Sequence, residues 1–277
     1  MQIAMIQDRI VPAEELDPVY LDRAMFFGDG VYEVARSYNG KIFALEEHLE
    51  RFAHSLSGIE LTGVDMGLIR SRIQRAFDAA GIANAMIYFH ITRGSAPRNR
   101  VWDPSLKPNF FLTVSELHDK PEDKAKGIAV STFPDWRWKR CDIKSLNLLP
   151  NVLACTAAAR KGCAEAIFVN EAGLITEGAG SAFFAIRGRS LQTAPLTANI
   201  LPSITRQFTI KAGRNIGLEI IEESLTPEQA ARSDELLVAS TTKDIMGVVR
   251  FDDKAIGDGT PGKYTKLLAQ EFRSFTV

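Results

Sequence analysis

At Glu46 the spacing of apolar residues changes, and that change constrains the fold of this 277-residue chain more than any other feature. Upstream, Val31 to Tyr38, then Asn39-Gly40, then Lys41 to Leu45 form the pattern of a hairpin with a two-residue turn. Downstream, Leu49, Phe52, Leu56 and Ile59 recur at helical spacing, and a second helix is predicted over Met66 to Ala80, ended by Gly81. Strands are expected next at Ala85 to Thr92 and Asn109 to Leu117. Later strands are expected near Ile128 to Phe133, Glu165 to Val169, Ser181 to Ile186 and Glu235 to Ala239, with helices near Asn151 to Lys161, Ser203 to Asn215 and Lys263 to Phe275. Sheet and helix mix without strict alternation, which argues for an α+β fold of two domains over a doubly wound parallel sheet. The polar stretch His118 to Lys126, with Pro121 inside it, is the best linker in the chain. It divides a smaller N-terminal domain, 1–118, from a larger C-terminal domain, 126–277, through a linker at 119–125.

Composition narrows the partners. Lys and Arg total 33 and Asp and Glu total 34, a formal charge of −1, so neither a nucleic-acid groove nor an anionic membrane patch is suggested. Cys141, Cys155 and Cys163 are odd in number and form no CxxC pair, which implies neither a disulfide framework nor a zinc site and fits a reducing compartment. No basic region followed by an apolar run opens the chain, and no stretch approaches the roughly 20 apolar residues of a membrane span. A cytoplasmic protein is expected. The four histidines, at 48, 54, 90 and 118, are not paired at ligand spacing, so no metal is expected.

Several enzyme classes lose support because the chain contains no GxxxxGK[ST], GxSxG or HExxH motif and no GxGxxG after a predicted strand. Gly28-Asp29-Gly30 is only GxG, the pattern of a tight turn. The most unusual segment is Trp136-Arg137-Trp138-Lys139-Arg140-Cys141-Asp142-Ile143-Lys144-Ser145-Leu146-Asn147. Taken alone, Lys144 is either a solvated surface lysine or a partly desolvated amine able to attack a carbonyl and form a Schiff base.

Six blocks carry a resemblance that spans nearly the whole chain. Phe27-Gly28-Asp29-Gly30-Val31-Tyr32-Glu33-Val34, Glu47-His48-Leu49-Glu50-Arg51, Thr92-Arg93-Gly94, Arg140 to Asn147, Thr176-Glu177-Gly178 and Ser240-Thr241-Thr242 resemble, in order, the fold-type IV pyridoxal-phosphate transaminases, and most of all the D-amino-acid aminotransferases. The resemblance implies pyridoxal 5′-phosphate as cofactor, with Lys144 as its Schiff-base residue and proton shuttle. It implies Glu177 as partner of the pyridine nitrogen. Arg51, Ile204, Thr205, Ser240 and Thr241 match phosphate-binding positions, and Leu201 matches the residue packed on one face of the ring.

The same resemblance assigns the substrate carboxylate to Tyr32 and to an Arg-x-His pair. Here the chain departs from its relatives, because Arg98-Asn99-Arg100 places an arginine where histidine is usual. Two guanidinium groups fit dicarboxylic keto acids such as 2-oxoglutarate as acceptors; a solvent-facing basic loop is the alternative. The departure leaves stereochemical strictness open. Branched-chain L-amino-acid aminotransferases, (R)-selective amine transaminases, aminodeoxychorismate lyase and a non-catalytic cofactor-binding protein remain alternatives. Relatives act as homodimers in which one subunit shapes its neighbour's pocket, so a homodimer is expected from resemblance alone.

Overall fold

The computed structural model describes residues 2–276. A hairpin of β1 (Ile3–Ile6) and β2 (Arg9–Pro12) and the short helix α1 (Arg23–Phe27) precede the first main sheet. That sheet is antiparallel, in the order β4 (Lys41–Ile42), β3 (Gly30–Tyr38), β5 (Ala85–Thr92), β6 (Asn109–Glu116). Helices α2 (Leu45–Gly58) and α3 (Met66–Ala80) cover one face. Alternation along the strands sends Val31, Ile87, Phe89 and Ile91 to that face, where they pack with Phe52 and Ile73 in a closed core. Phe52 meets Phe89 edge to face, 5.1 Å between ring centroids. Each such buried side chain stabilises by about 1.5–3 kcal/mol. The opposite face carries Tyr32 against Tyr88, and His90 stacked on Phe111.

The segment expected to be a bare linker contains a helix, α4 (Pro121–Lys126). Proline suits the first helical position, Glu122 and Asp123 sit in the first turn, and Lys124 and Lys126 in the last, so the charges complement the helix dipole. The predicted hairpin is also shorter than its pattern suggests. Its second strand ends at Ile42, and Ala44, at φ 50°, turns the chain into α2.

The second sheet has nine strands. Its main path runs β12 (Glu219–Glu222), β11 (Ser190–Thr193), β10 (Ala182–Arg187), β13 (Glu235–Ser240), β14 (Asp244–Phe251), β7 (Ile128–Pro134), β8 (Glu165–Val169), β9 (Ile175–Gly178), with β15 (Lys254–Ala255) added to β14. Three pairs are parallel, β11–β12, β14–β7 and β7–β8, and the rest antiparallel. Helices α6 (Ile204–Asn215) and α8 (Lys263–Ser274) cover one face, burying Ile210, Leu268 and Phe272 against Phe184, Ile186 and Leu237. The other face buries Val130, Ile167, Phe183, Leu236 and Val248, closed by Ala230 of α7 (Pro227–Ala230). Helix α5 (Leu149–Arg160) packs on β7 and β8. Strand β14 escapes sequence reading because Gly247 interrupts its apolar run; a Cβ there would lie 2.8 Å from Pro261. Among the described residues no helix is long and apolar enough to cross a membrane.

Candidate active site

Lys144 is placed by its own backbone. Residues 143–146 run along β3 like a fragment of a further strand: Tyr32 N–H donates to the Lys144 carbonyl at 2.9 Å and Leu146 N–H to the Gly30 carbonyl at 3.0 Å. Lys144 N–H donates to Ser55 Oγ of α2 at 3.0 Å. Ile143 is buried in the core of the first sheet, which roots the segment. The close approach needs Gly30, where a Cβ would stand 2.6 Å from the Ile91 carbonyl and 2.8 Å from Leu146 Cδ1. The Lys144 side chain ends with Nζ 4.1 Å from the centroid of the Tyr32 ring.

Both residues line one cavity, together with Arg51, Glu177, Leu201, Ser240 and Thr241. Glu177, on β9, is buried. Its Oε1 accepts from Arg137 Nη1 at 2.5 Å and from Leu201 N–H at 3.0 Å, leaving Oε2 without a protein donor among the described residues. Burial pushes the Glu177 carboxyl above its ordinary pKa, against the pull of Arg137 and Lys144. A protonated ring nitrogen would supply the donor that Oε2 lacks. Arg137 is aimed by Asp135, which accepts from its Nε at 2.8 Å and its Nη2 at 2.7 Å, and it lies over the Phe168 ring.

At the other end, Arg51 reaches from α2. Its Nε and Nη2 each donate to Glu33 at 2.7 Å and its Nη1 to the Pro202 carbonyl at 2.9 Å. A guanidinium has five N–H groups, so one hydrogen on each Nη remains for an anion. Pro202 leads into α6, whose cap Ser203 accepts from Arg206 N–H. The Ile204 and Thr205 N–H groups at this helix start have no acceptor among the described residues, an arrangement suited to phosphate. Ile204 and Thr205 side chains are buried away from the cavity, so their contribution is backbone. Ser240 and Thr241 present hydroxyls from the turn joining β13 to β14. This donor set fits a phosphorylated pyridine held at both ends, with an amine beside it.

The family model for amino-transferase class IV matches residues 30–251. The chain belongs to the class IV aminotransferases. It is 36% identical over 278 residues to the D-alanine aminotransferase of Staphylococcus haemolyticus, covering 99% of this chain and 98% of that one. It is 35% identical over 249 residues to the D-alanine aminotransferase of Bacillus licheniformis, 88% of this chain and 87% of that one. Among solved structures, a hypothetical aminotransferase from Mycobacterium tuberculosis, in a form with α-ketoglutarate and PMP bound, superposes with a TM-score of 0.83 at 20% identity, over 97% of this chain and 96% of that one.

Two expected residues of this class IV aminotransferase do not reach their own cavity. Arg98 and Arg100 are exposed on the loop after β5. Arg98 lies over the Phe27 ring at 5.2 Å, and the Arg100 carbonyl accepts from Arg23. The reason is that Arg23 and Arg93 clamp Asp29 and hold the start of this loop against α1. Neither Trp136 nor Trp138 is core: they are 69% and 43% exposed, and Trp138 borders the cavity. Sequence reasoning missed the roles of Glu33 and His48 and left that of Arg137 open. The i, i+3 spacing of His48 and Arg51 was the available signal, since it sets both on one helix face toward Glu33, with His48 Nδ1 2.8 Å from Glu33 Oε2.

Proposed function

We propose that the protein is a pyridoxal-phosphate-dependent D-amino-acid transaminase that moves an amino group from a donor such as D-alanine to a 2-keto acid such as 2-oxoglutarate. The observation that carries this reading is the shared cavity of Lys144 and Glu177, where among the described residues the Lys144 amine, set against Tyr32, has no hydrogen-bond partner and the buried carboxylate has one oxygen without a donor. The near-full-length identity to D-alanine aminotransferases supports the choice of donor. When bound, pyridoxal 5′-phosphate supplies a carbonyl to receive the amino group and a ring that takes up electrons from the substrate Cα.

The remaining work falls to side chains. Lys144 would hold the cofactor through its side-chain amine and, once freed by substrate, would accept the substrate Cα proton and deliver it to the cofactor carbon that had carried the carbonyl. Glu177, anionic and braced by Arg137, keeps the ring nitrogen protonated. Arg51, the Ile204 and Thr205 N–H groups, Ser240 and Thr241 hold the phosphate, and Leu201 packs on the ring. Tyr32 takes the substrate carboxylate.

The proposal extends to a homodimer in which Arg98 and Arg100 of one subunit complete the carboxylate site of the other; their exposure in their own subunit supports it. It also includes the division at residues 119–125, with the cofactor in the cleft, because residues on both sides line the cavity.

The test is the visible spectrum of the cofactor-loaded protein with D-alanine, and separately L-leucine, and no keto acid. Loss of the bound-cofactor band with D-alanine but not L-leucine is expected. The reverse pattern would transfer the protein to the L-branched-chain activity, and pyruvate release from aminodeoxychorismate without an acceptor would make it a lyase.

A further inference from the structure

The turn that carries Ser240 and Thr241 is tied to the first sheet by a buried ion cluster that the reaction does not use. Asp244, the first residue of β14, pairs with Ser240 in register and closes the turn Thr241-Thr242-Lys243. Its φ of 57° lies in the left-handed region, a conformation that persists in a non-glycine residue only when its surroundings hold it. Four side chains from three other elements do so. Asp244 Oδ1 accepts from Arg36 Nη1 at 2.8 Å and Tyr38 Oη at 2.5 Å, both on β3. Its Oδ2 accepts from Lys124 Nζ of α4 at 2.7 Å, with Arg273 Nη2 of α8 at 3.3 Å.

Asp119 closes the network. It accepts from Arg36 Nη2 at 2.6 Å and pairs with Lys124 and Arg273. The cluster thus sets three cations against two carboxylates, with Arg36 and Asp244 almost fully buried. Burial and the Asp244 charge push the Tyr38 phenol well above its ordinary pKa, so Tyr38 stays a neutral donor. No member of the cluster lines the cavity.

We propose that Asp244 is a positioning residue for the cofactor phosphate: anchored to Arg36, Tyr38, Lys124 and Arg273, it locks the Ser240–Thr242 turn in the one conformation that presents its donors to the phosphate. This rests on the reading of that turn as part of the phosphate site. A flexible turn would have to be ordered on binding, and pre-ordering removes that entropic cost. The cluster therefore makes the junction of the two lobes part of the phosphate site.

The experiment is reconstitution of cofactor-free full-length protein with pyridoxal 5′-phosphate and, in parallel, with pyridoxal, which keeps the carbonyl and lacks the phosphate. Affinity is read from the absorbance of the bound cofactor. Asp244→Asn is expected to weaken pyridoxal 5′-phosphate about tenfold or more and leave pyridoxal unchanged, as loss of organisation at the phosphate alone requires. Tyr38→Phe removes one bond to Asp244 and keeps the ring, and is expected to shift the same ratio by about threefold, which keeps the test available if the asparagine variant fails to fold. Equal losses for both ligands, or none, would overturn the proposal. Failure of the wild-type protein to prefer the phosphorylated ligand, or a Thr241→Ala variant without effect on it, would instead overturn the assignment of the turn to phosphate.

Discussion

Arg51 and Glu33 meet in two parallel hydrogen bonds, Nε to Oε1 and Nη2 to Oε2, each 2.7 Å long, in a site where Glu33 has no solvent exposure. The pair spends three of the guanidinium's donors on the protein, counting the bond to Pro202, and leaves a fixed outward edge for phosphate. Helix α2 and strand β3 are thereby joined through the same side chain that is proposed to hold the phosphate.

Breaking this pair is expected to be costly. Glu33→Gln leaves Arg51 without its counter-charge in a buried place, a loss of about 3–5 kcal/mol in unfolding free energy, measured by denaturant titration. Burial alone would raise the Glu33 carboxyl, yet Arg51 and His48 hold it down to about 2. A depressed folded-state pKa means that the stabilisation is complete above the unfolded value of about 4.3 and is lost as pH falls toward 2. The wild-type protein should therefore lose stability more steeply than Glu33→Gln between pH 5 and pH 3, with an equal slope counting against the pairing.

Arg137 governs the charge on Glu177. Burial raises the Glu177 pKa and Arg137 opposes it, so Arg137→Ala should raise it further. With the anion as the proposed working form, the acid limb of the first half-reaction should move to higher pH, and Arg137→Lys should bring it part of the way back. An unmoved acid limb in stopped-flow pH profiles would separate the two residues.

Lys144→Ala should lower the rate of the half-reaction by at least about 10²-fold, the lower range for loss of a positioned acid–base group. Added methylamine, which can enter the vacated space as a free base, should return part of the rate. Full turnover in the variant would remove Lys144 from the chemistry.

Arg98 and Arg100 offer a test of shared sites. If Arg98 serves the neighbouring pocket, mixed Arg98→Ala and Lys144→Ala subunits should recover about a quarter of wild-type turnover after exchange, since half of the dimers carry one intact site. Arg100→Ala should raise the KM for 2-oxoglutarate about tenfold more than that for pyruvate, as loss of one charged hydrogen bond requires. No recovery in the mixture, with both parents inactive, would place Arg98 outside the partner's pocket.

Gly30→Ala should unseat the lysine without touching it. The added Cβ would fall 2.8 Å from Leu146 Cδ1 as well as 2.6 Å from the Ile91 carbonyl, so residues 143–146 must shift against β3. Slower cofactor binding with a lowered melting temperature is expected, and a neutral outcome would mean that β3 yields easily.

Much of this was readable in the chain. Period and turn residues located β3, β5, β6, α2, α3, α6 and α8 to within a residue or two, because alternation and the 3.6-residue repeat are local records of which side is buried. The motifs around Lys144, Glu177 and Ser240 pointed to residues that the fold gathers in one cavity. Strands β9, β11, β12 and β14 were harder, being short or interrupted by glycine, so that neighbours supply their order.

By itself the sequence determined many local conformations and the chemical types on offer: an amine after an apolar residue, a carboxylate in a Thr-Glu-Gly motif, hydroxyls at a strand end. Tertiary structure alone decided which charges meet. It set Arg137 on Glu177, 40 residues away, and Arg36 on Asp244, 208 residues away, and it left Arg98 and Arg100 outside their own cavity. The reason is physical: burial periodicity repeats every few residues and is legible locally, whereas an ion pair depends on how separate elements pack, and packing sums contacts from the whole chain.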